Sequence, residues 1–486
     1  MNARLRSGLL AVALTTTAAS AATEPAPVRE TTYPDDPLLQ GVDPSAPHQW
    51  AARALDLYRA EDATAPLDPV VVAVIDSGVD LLHPDLAPAN QWRNAGETLD
   101  GRDEDGNGYV DDVLGWDFVD QDNLPWDESG HGTHVAGLIA ATVNNGMGIA
   151  GANPAARLMA LRVANFAGNA KSTAIASALH YAAANGARVA NLSLGGVAIT
   201  QAERAAIADA TRRGMLVVVA AGNSASADAF GYAGLPGVLT VGAADASGER
   251  AAFSNGGVAL DLIAPGVDLL SLRARGTDFL LMAGAAGYVA GAAFVDGGRY
   301  YRATGTSFAA ALVSGVASRL LALRPTLTNV ELARVLRQSA RDVGAQGVDQ
   351  RSGYGHLDFR AALAQDAAHW ITARIARVSP ELVDDTIVLD VLGQADADRF
   401  AGATLEVRAA GVEDWHAVGE PLGTPVGDGP LGHIDLGTLL AESGGVTRWQ
   451  IRLVVHHADG GVREAWMDVE LPIAAQAPGS QAGGAQ

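Results

Sequence analysis

The sequence contains no cysteine, a single lysine (Lys171) and no hydrophobic run long enough to cross a membrane. A chain without cysteine forms no disulfides, which excludes the small disulfide-stabilised folds common among exported proteins. Basic residues are also scarce, 33 against 55 acidic ones, and the resulting net charge of −22 argues against nucleic acid and anionic membranes as partners. Core packing and bound ions must therefore hold the chain together.

What the sequence does contain is enough apolar material for a large folded protein. Its 486 residues are 48% hydrophobic and have a mean hydropathy of +0.12. These values argue against disorder and leave room for more than one domain. We therefore expect a folded, soluble protein with no integral membrane segment.

The first 21 residues have the pattern of a secretory signal peptide. Arg4 and Arg6 precede a short apolar run, Leu9 to Leu14, and the small residues Ala19 and Ala21 flank Ser20 in the form that signal peptidases cleave. We predict cleavage after Ala21 and export of the chain. Periplasmic retention and full secretion both remain open.

Three short motifs supply an aspartate, a histidine and a serine in settings suited to catalysis. Asp76 ends the β-branched run Val70 to Ile75, which predicts a buried parallel strand, and sites form at the carboxyl ends of such strands. His131 in GHGTHVAG and Ser307 in GTSFAAA each open an apolar, small-residue stretch that predicts a helix. A serine hydroxyl needs a histidine to take its proton and a carboxylate to hold that histidine. Asp76, His131 and Ser307 fit these roles.

The motifs and their order, Asp then His then Ser, resemble those of the subtilisin-like serine peptidases over roughly Gln49 to Gln365. The resemblance implies an α/β fold, a three-layer α/β/α domain with a mainly parallel sheet. It also implies a serine endopeptidase that hydrolyses peptide bonds of extended or unfolded polypeptides through an acyl-enzyme. We expect such an enzyme to act as a monomer.

Further site residues follow from the same resemblance. Asn223, in MLVVVAAGN, matches the asparagine that binds the oxyanion together with the amide of the nucleophile, and Gly222 precedes it. The segment NLSLGG matches the strand that pairs with the substrate backbone, through Ser193, Leu194 and Gly195. Backbone pairing of this kind implies loose specificity.

Two other functions compete with this interpretation. His131 and His134 could form a metal pair, but zinc helices space their histidines four apart around a glutamate, as in H-E-x-x-H, and that glutamate is missing here. We interpret His134 as a structural histidine. The second alternative is a non-catalytic binding protein on a peptidase scaffold, in which mutation of Ser307 would leave function intact.

An acidic segment between Leu99 and Phe118 predicts a structural calcium site. The spacing places ligands at positions 1, 3, 5, 7 and 9 of an EF-hand-like loop, where position 7 would offer a carbonyl. These ligands are Asp103, Asp105, Asn107, Tyr109 and Asp111, with Gly108 at the turn. Leu114 stands where an EF-hand has its bidentate glutamate, so Asp112 or Glu97 would have to complete the shell. The alternative is a solvated acidic turn.

A second calcium site is implied by the resemblance alone. Asp85, Asn145 and the carbonyls of Met147 and Ile149 match the strong calcium site of the family, and Gln49 would close it. Calcium is accordingly the expected cofactor, in a structural role.

Composition changes near Asp366, and the residues beyond it alternate apolar and polar in short runs that predict β-strands. We expect Trp449 and Trp466 to be core residues of a small all-β sandwich, with ligand stacking as the alternative. This appended domain would serve anchoring or stability. The expected organisation is a signal peptide 1–21, a proline-rich extension 22–48, a peptidase domain 49–365, a β-sandwich-like domain 370–472 and a flexible tail 473–486.

The sequence also departs from the family pattern. Ala311 stands where a proline usually follows the nucleophile motif, and Gly231 with Tyr232 replaces a tyrosine with a cis-proline near the pocket. A glycine- and alanine-rich insertion from Arg273 to Tyr301 is expected to form a surface hairpin or loop near the site.

Overall fold

The computed structural model describes six segments of the chain, all within the compact unit Tyr33–Gln486. They are residues 34–40, 49–194, 198–277, 294–383, 386–435 and 448–470. The predicted signal peptide, most of the proline-rich extension and the predicted tail lie outside them. So does Gly195, one of the predicted substrate-binding residues.

A seven-stranded parallel sheet forms the centre of the first part of the chain, as predicted. The strand order is β2-β3-β1-β4-β5-β6-β7, and every neighbouring pair is parallel. The strands are β1 Val70–Asp76, β2 Gly115–Asp117, β3 Ala156–Arg162, β4 Val189–Leu192, β5 Leu216–Ala220, β6 Val238–Ala244 and β7 Leu262–Pro265.

Both faces of this sheet are buried, which explains the unbroken apolar run in β1. Val72 and Val74 point into one hydrophobic core, whereas Ala73 and Ile75 point into another on the opposite face. Successive side chains of a strand point to opposite faces, so apolar residues are favoured at every position when both faces are covered. The sequence therefore remains apolar until the strand reaches the sheet edge at Asp76.

Helices cover the two faces and complete the three layers. The helices are α1 Pro37–Gln40, α2 Trp50–Ala54, α3 His131–Ala140, α4 Ser172–Ala184, α5 Gln201–Arg212, α6 Thr306–Leu323, α7 Asn329–Gln338 and α8 Phe359–Ala364. Helices α3 and α6 pack in one core, and α4 and α5 in the other. Among the described residues, α6 alone is long and apolar enough to span a membrane, but it is nine-tenths buried within the protein.

The insertion contributes strands rather than only a surface loop. Strands β8 Leu269–Leu272, β9 Phe294–Val295 and β10 Tyr300–Ala303 form a small antiparallel sheet in the order β8-β10-β9. Tyr300 and Tyr301, at the end of the insertion, are buried. This end is therefore part of the core, and residues 278–293 lie outside the described segments.

The C-terminal part consists of two antiparallel sheets that share one core. One sheet has the order β11-β12-β15 and the other β14-β13-β16-β17. The strands are β11 Ile371–Val383, β12 Thr386–Ala397, β13 Phe400–Ala409, β14 His416–Leu422, β15 Val426–Asp435, β16 Arg448–His457 and β17 Val462–Glu470. Leu389 from the first sheet and Leu405 and Leu453 from the second lie in the same apolar cluster.

The two tryptophans singled out in the sequence differ in position. Trp449 is buried in the core of the β-sheets. Trp466 lies on the partly exposed face, where its ring meets Trp415 edge-on with 5.2 Å between centroids and Arg408 stacks against both. The backbone of Trp466 also donates a hydrogen bond to Val348 of the preceding α/β part. The two parts of the chain are therefore directly joined.

Candidate active site

Asp76 and His131 meet where β1 ends and α3 begins. His131 Nδ1 lies 2.7 Å from Oδ1 of Asp76, a hydrogen bond between a fully buried carboxylate and an imidazole near the surface of a groove. Burial lowers the pKa of His131, but the charge and hydrogen bond of Asp76 outweigh it, so this pKa is raised above 6.5. The pair is arranged to stabilise an imidazolium.

A second aspartate, not singled out from the sequence, fixes the start of α3. Asp127 is fully buried, and its carboxylate accepts hydrogen bonds from the amides of Gly130 and Thr133 and from the Thr133 hydroxyl. These amides are donors that the first turn of a helix leaves without partners. Asp127 therefore sets the orientation of the helix that carries His131. The sequence offered one signal for this role, since Asp127 lies four residues before the predicted start of the helix.

Ser307 is the second residue of α6, and its turn is bonded to the end of β4. The Ser307 hydroxyl donates to the Ser193 carbonyl at 3.3 Å, and the Ser193 hydroxyl donates to the Ser307 carbonyl at 2.9 Å. Asn191 in turn donates to the Ser193 hydroxyl at 2.8 Å. The ring of Phe308, next to Ser307, lies 5.3 Å from the ring of His131. The candidate nucleophile is thus held beside the candidate base.

Asn223 follows β5 and faces the same turn. Its Oδ1 accepts two hydrogen bonds from Thr306, one from the amide and one from the hydroxyl, each 2.9 Å long. Two donors on Oδ1 fix the orientation of the carboxamide, and its NH₂ group is left as the donor for a ligand. Thr306, which also accepts from the Gly222 amide at 3.1 Å, was missed in the sequence analysis.

The turn that carries Asn223 is held by a buried asparagine. Asn255 donates to the Ala221 carbonyl and accepts from the amides of Ser224 and Ser226. Gly222 has φ +103, and a Cβ at this position would come within 2.4 Å of Asn255 Nδ2. Glycine is required here because the turn and Asn255 occupy the space of a side chain.

The three candidate catalytic residues, Asp76, His131 and Ser307, all line one open groove of about 510 Å³. Four other predicted site residues line the same groove, so seven meet here in total. The four are Ser193, Leu194, Gly222 and Asn223. Phe166 and Phe230, respectively 54% and 37% exposed, add apolar walls that the sequence analysis did not anticipate. The groove offers both apolar contact and polar groups at one end.

The departures from the family pattern leave this groove intact. Ala311 is fully buried within α6, which continues without interruption to Leu323. Tyr232 is buried in the core beneath α5, and its hydroxyl donates to Glu203 at 2.5 Å. Neither residue lines the groove.

His134 occupies a core position next to the site. It is fully buried between the rings of Tyr301 and Phe308, and its Nε2 lies 3.1 Å from the Leu269 carbonyl. Burial lowers its pKa to about 3, which keeps the ring neutral. Within the described segments, the groups of side chains close enough to share a metal ion include neither His131 nor His134.

Comparison with known proteins agrees with this geometry. The model of the subtilase family, Peptidase S8, matches residues 68–355, which is more than half of the chain. This chain belongs to the subtilase family. The matched region contains the sheet, the groove and all three residues of the candidate triad.

Individual relatives match a comparable length of this subtilase. A thermophilic serine proteinase from Bacillus sp. (strain AK1) is 35% identical over 314 residues, 65% of each chain. Thermitase from Thermoactinomyces vulgaris is 32% identical over 300 residues, 62% of this chain and 89% of thermitase. The crystal structure of a lanthipeptide protease superposes with a TM-score of 0.51 at 25% identity, over 65% of this chain and 93% of that one. The subtilase thus spans less than two thirds of the AK1 proteinase.

The calcium site that the family resemblance implies gathers around Asp85. Its Oδ1 accepts from the Asn145 side chain at 2.8 Å and its Oδ2 from the Ile149 amide at 3.0 Å and the Tyr300 hydroxyl at 3.2 Å. Met147 lies in the same loop, where its amide donates to Asn145. Gln49 instead pairs with Ala150, through hydrogen bonds of 2.8 and 2.9 Å.

A second buried carboxylate, which the sequence analysis passed over, reaches this loop from the N-terminal side. Asp36, in the segment YPDDP, accepts from the amides of Asn144 and Asn145. Burial raises the pKa of Asp36 to about 6 and that of Asp85 to about 7, and the two carboxylates also repel each other. Two buried carboxylates beside the side-chain amide of Asn145 supply oxygen donors of the kind that calcium takes. The residues present therefore fit a calcium ion.

In the acidic loop, the carboxylates that come together are not the set that the EF-hand-like spacing predicted. Carboxylate oxygens of Glu97, Asp105 and Asp112 lie within 4.8 Å of one another. The Asn107 side chain donates to Asp105 at 3.1 Å and to Asp112 at 2.9 Å. This cluster, with oxygen donors and two buried carboxylates, also fits calcium.

The remaining predicted ligands of this loop hold its turns together. Asp103 accepts from the amides of Gly106 and Gly108, each at 2.8 Å, and Asp111 from the amide of Asp100 at 2.9 Å. Tyr109 packs its ring against Trp116 and Tyr181. Glu97 and Asp112, the two residues considered for completing the shell, are the ones that the fold brings to Asp105.

Proposed function

We propose that this subtilase is an exported serine endopeptidase that hydrolyses peptide bonds of extended polypeptides through an acyl-enzyme. The observation that carries the proposal is the hydrogen bond between Asp76 and His131 in a groove that also holds Ser307 and Asn223. A buried carboxylate on Nδ1 leaves Nε2 of the histidine to act as a base.

In the proposed mechanism, Ser307 Oγ attacks the substrate carbonyl carbon and gives its proton to His131 Nε2. Asp76 holds the tautomer and stabilises the imidazolium that forms. The NH₂ group of Asn223 and the Ser307 amide bind the oxyanion. His131 then protonates the leaving amine, and a water activated by His131 releases the acyl group. Every group named already lies in the groove, so the reaction needs no further protein residue.

The proposed substrate is an extended chain. Ser193 and Leu194 follow β4, where an added strand would pair with their backbone, and the phenyl rings of Phe166 and Phe230 would contact its side chains. A pairing that uses the backbone suits many sequences, whereas the rings favour apolar ones. We infer broad specificity with an apolar bias.

The proposed calcium ions would be structural. One would be held by Asp36, Asp85 and the loop of Asn145, and the other by Glu97, Asp105 and Asp112. Calcium bound to either set would neutralise buried carboxylates and connect segments far apart in the chain. No catalytic step passes through them.

The direct experiment compares the purified parent with Ser307→Ala on denatured casein. We expect the variant to lose activity by at least about three orders of magnitude. A Ser247→Ala variant, altered at an exposed turn, is the control and should retain the parental rate. A Ser307→Ala protein that degrades casein as fast as the parent would refute the proposal.

A further inference from the structure

A cluster of histidine and aspartate side chains lies outside the groove, where the polypeptide enters the two β-sheets. It consists of His369, Asp398, His457 and Asp459. His369 belongs to the segment between α8 and β11, Asp398 to the turn between β12 and β13, and the other two to the end of β16 and its hairpin. The catalytic mechanism uses none of them. We propose that this cluster is a binding site for a divalent transition metal of the zinc class.

The possible ligand atoms lie at distances that a zinc ion can bridge. His369, Asp398 and His457 each offer one ligand atom, and these three atoms lie within 4.8 Å of one another. Asp398 Oδ1 is 3.2 Å from His457 Nε2 and 3.6 Å from His369 Nδ1. Tetrahedral zinc with bonds of about 2.0–2.2 Å holds its ligand atoms roughly 3.4 Å apart. The distances from Asp398 Oδ1 to His457 Nε2 and to His369 Nδ1 are therefore both close to those of a zinc site.

The contacts of His457 also fix its tautomer. Its Nδ1 lies 2.6 Å from Oδ1 of Asp459. The Asp459 amide also lies 3.2 Å from this nitrogen and could donate to it. The carboxylate oxygen at 2.6 Å is closer and can only accept, so we assign the proton to Nδ1. In a neutral ring the lone pair is then on Nε2, which faces Asp398. A carboxylate on one nitrogen and a metal on the other is the usual arrangement of a metal-bound histidine.

The Nε2 atom of His457 is buried and poorly satisfied. His457 is 2% exposed, and among the described residues its Nε2 makes no hydrogen bond of good geometry, although Oδ1 of Asp398 lies only 3.2 Å away. A buried polar atom without a partner costs free energy. A metal ion shared with Asp398 and His369 would satisfy it.

Charge and chemistry select the class of ion. Two imidazoles and one carboxylate suit zinc and similar transition metals better than calcium, which prefers oxygen ligands. Arg399 is the cation facing the cluster, 3.9 Å from Asp398 and 3.7 Å from Asp459, but its side chain is 61% exposed. The two aspartates thus still leave a net negative site.

The position of the cluster gives the ion a structural role. The Trp370 amide donates to Asp398 Oδ1 at 2.8 Å, so the entering segment already lies against the turn between the two sheets. An ion bound by His369, Asp398 and His457 would join this segment, that turn and the β16–β17 hairpin. We expect it to stabilise the connection between the peptidase part and the β-sheets.

The test measures zinc bound to the full chain in the Ser307→Ala background, which prevents self-digestion, with excess calcium to fill the calcium sites. We expect one Zn²⁺ per chain, and Co²⁺ in its place should show the visible absorption of a four-coordinate ion. His369→Asn and His457→Asn should each weaken binding by at least about 100-fold, and Asp459→Asn by about 10- to 100-fold.

His456→Asn, one residue along the same strand, is the matched control and should bind like its parent. His369 is only partly buried, so its variant remains informative even if His457→Asn fails to fold. Absence of zinc binding in the parent would overturn the proposal and favour a protonated His457 that bridges Asp398 and Asp459. Zinc binding that survives His369→Asn would overturn it as well.

Discussion

Thr306 donates two hydrogen bonds, each 2.9 Å long, to the Oδ1 atom of Asn223. One comes from the backbone amide and one from the hydroxyl, so a residue next to the candidate nucleophile orients the candidate oxyanion donor. The same hydroxyl accepts from the Gly222 amide. The candidate nucleophile and the candidate oxyanion donor are thereby held together as one unit.

Thr306→Val should reduce kcat with little change in KM. The substitution removes one of the two bonds that orient Asn223, and a net hydrogen bond of about 0.5–1.5 kcal/mol corresponds to a loss of about 2- to 10-fold. Asn223→Ala should cost about 100- to 1000-fold, as found for a subtilisin asparagine. Steady-state kinetics on a chromogenic peptide measure both. Thr306→Ser keeps the hydroxyl and should stay near the parental rate; equal losses for Ser and Val would contradict this role.

The protonation of His131 should respond to Asp76 with a defined sign. Asp76 raises the pKa of His131 above 6.5 against the opposing effect of burial. Removing the charge with Asp76→Asn leaves burial, which lowers the pKa, opposed only by the smaller effect of the Asp127 charge, so the pKa should fall below 6.5. Imidazole NMR titration in the Ser307→Ala background measures it directly. A pKa that stays above 6.5 in Asp76→Asn would show that Asp76 is not its cause.

In the active enzyme this pKa sets the acid side of the pH profile. The base must be neutral, so kcat/KM should fall as pH drops through the pKa of His131, with a midpoint above 6.5. Asp120→Asn, an exposed change beside Arg162, is the control and should leave the midpoint in place.

Removal of calcium should destabilise the protein. Chelation of the proposed ions would leave Asp36 and Asp85 buried without a counter-ion, and we expect the unfolding temperature of the Ser307→Ala protein to fall by at least about 5 °C. Asp36→Asn should remove the part of the calcium effect that belongs to the Asp85 site, and Glu97→Gln the part that belongs to the acidic loop. Thermal unfolding with calcium and with chelator measures each part. If chelator changes the unfolding temperature of the Ser307→Ala protein by less than about one degree, both structural ions are excluded.

The apolar walls of the groove should determine which peptides bind well. Phe166 and Phe230 are partly exposed and line the groove, and neither has a role in the proposed catalytic steps. Phe166→Ala should raise KM for peptides with large apolar residues several-fold and leave kcat nearly unchanged, because such contacts are made equally in the ground and transition states. Peptide-library cleavage profiles of parent and variant test this. An unchanged profile would place the specificity elsewhere.

Local patterns predicted the central parts of this structure. The unbroken β-branched run before Asp76 predicted a buried strand. The glycine before His131 and the alanine-rich stretch after Ser307 predicted the starts of two helices. The apolar run from Thr133 to Val143 predicts a helix that extends further than α3, which ends at Ala140 because Ala141 has the extended backbone angle ψ 141. The parallel sheet and the subtilase fold were predicted correctly.

Residues whose roles depend on distant partners were harder to predict. Asp36 lies more than one hundred positions from the amides it binds, and Asn255 is 34 positions from the Ala221 carbonyl. No local period connects such pairs. The acidic loop shows the same limit, because its spacing selected Asp103 and Asp111 whereas the fold brings Glu97 and Asp112 to Asp105.

The central claim, that Ser307 is an activated nucleophile, is tested most directly by labelling with a serine-directed organophosphate and locating the adduct by mass spectrometry. We predict a single adduct on Ser307, loss of peptidase activity in proportion to labelling, and labelling slowed by at least about 100-fold in His131→Ala. A protein that cleaves peptides while Ser307 stays unlabelled would contradict the account.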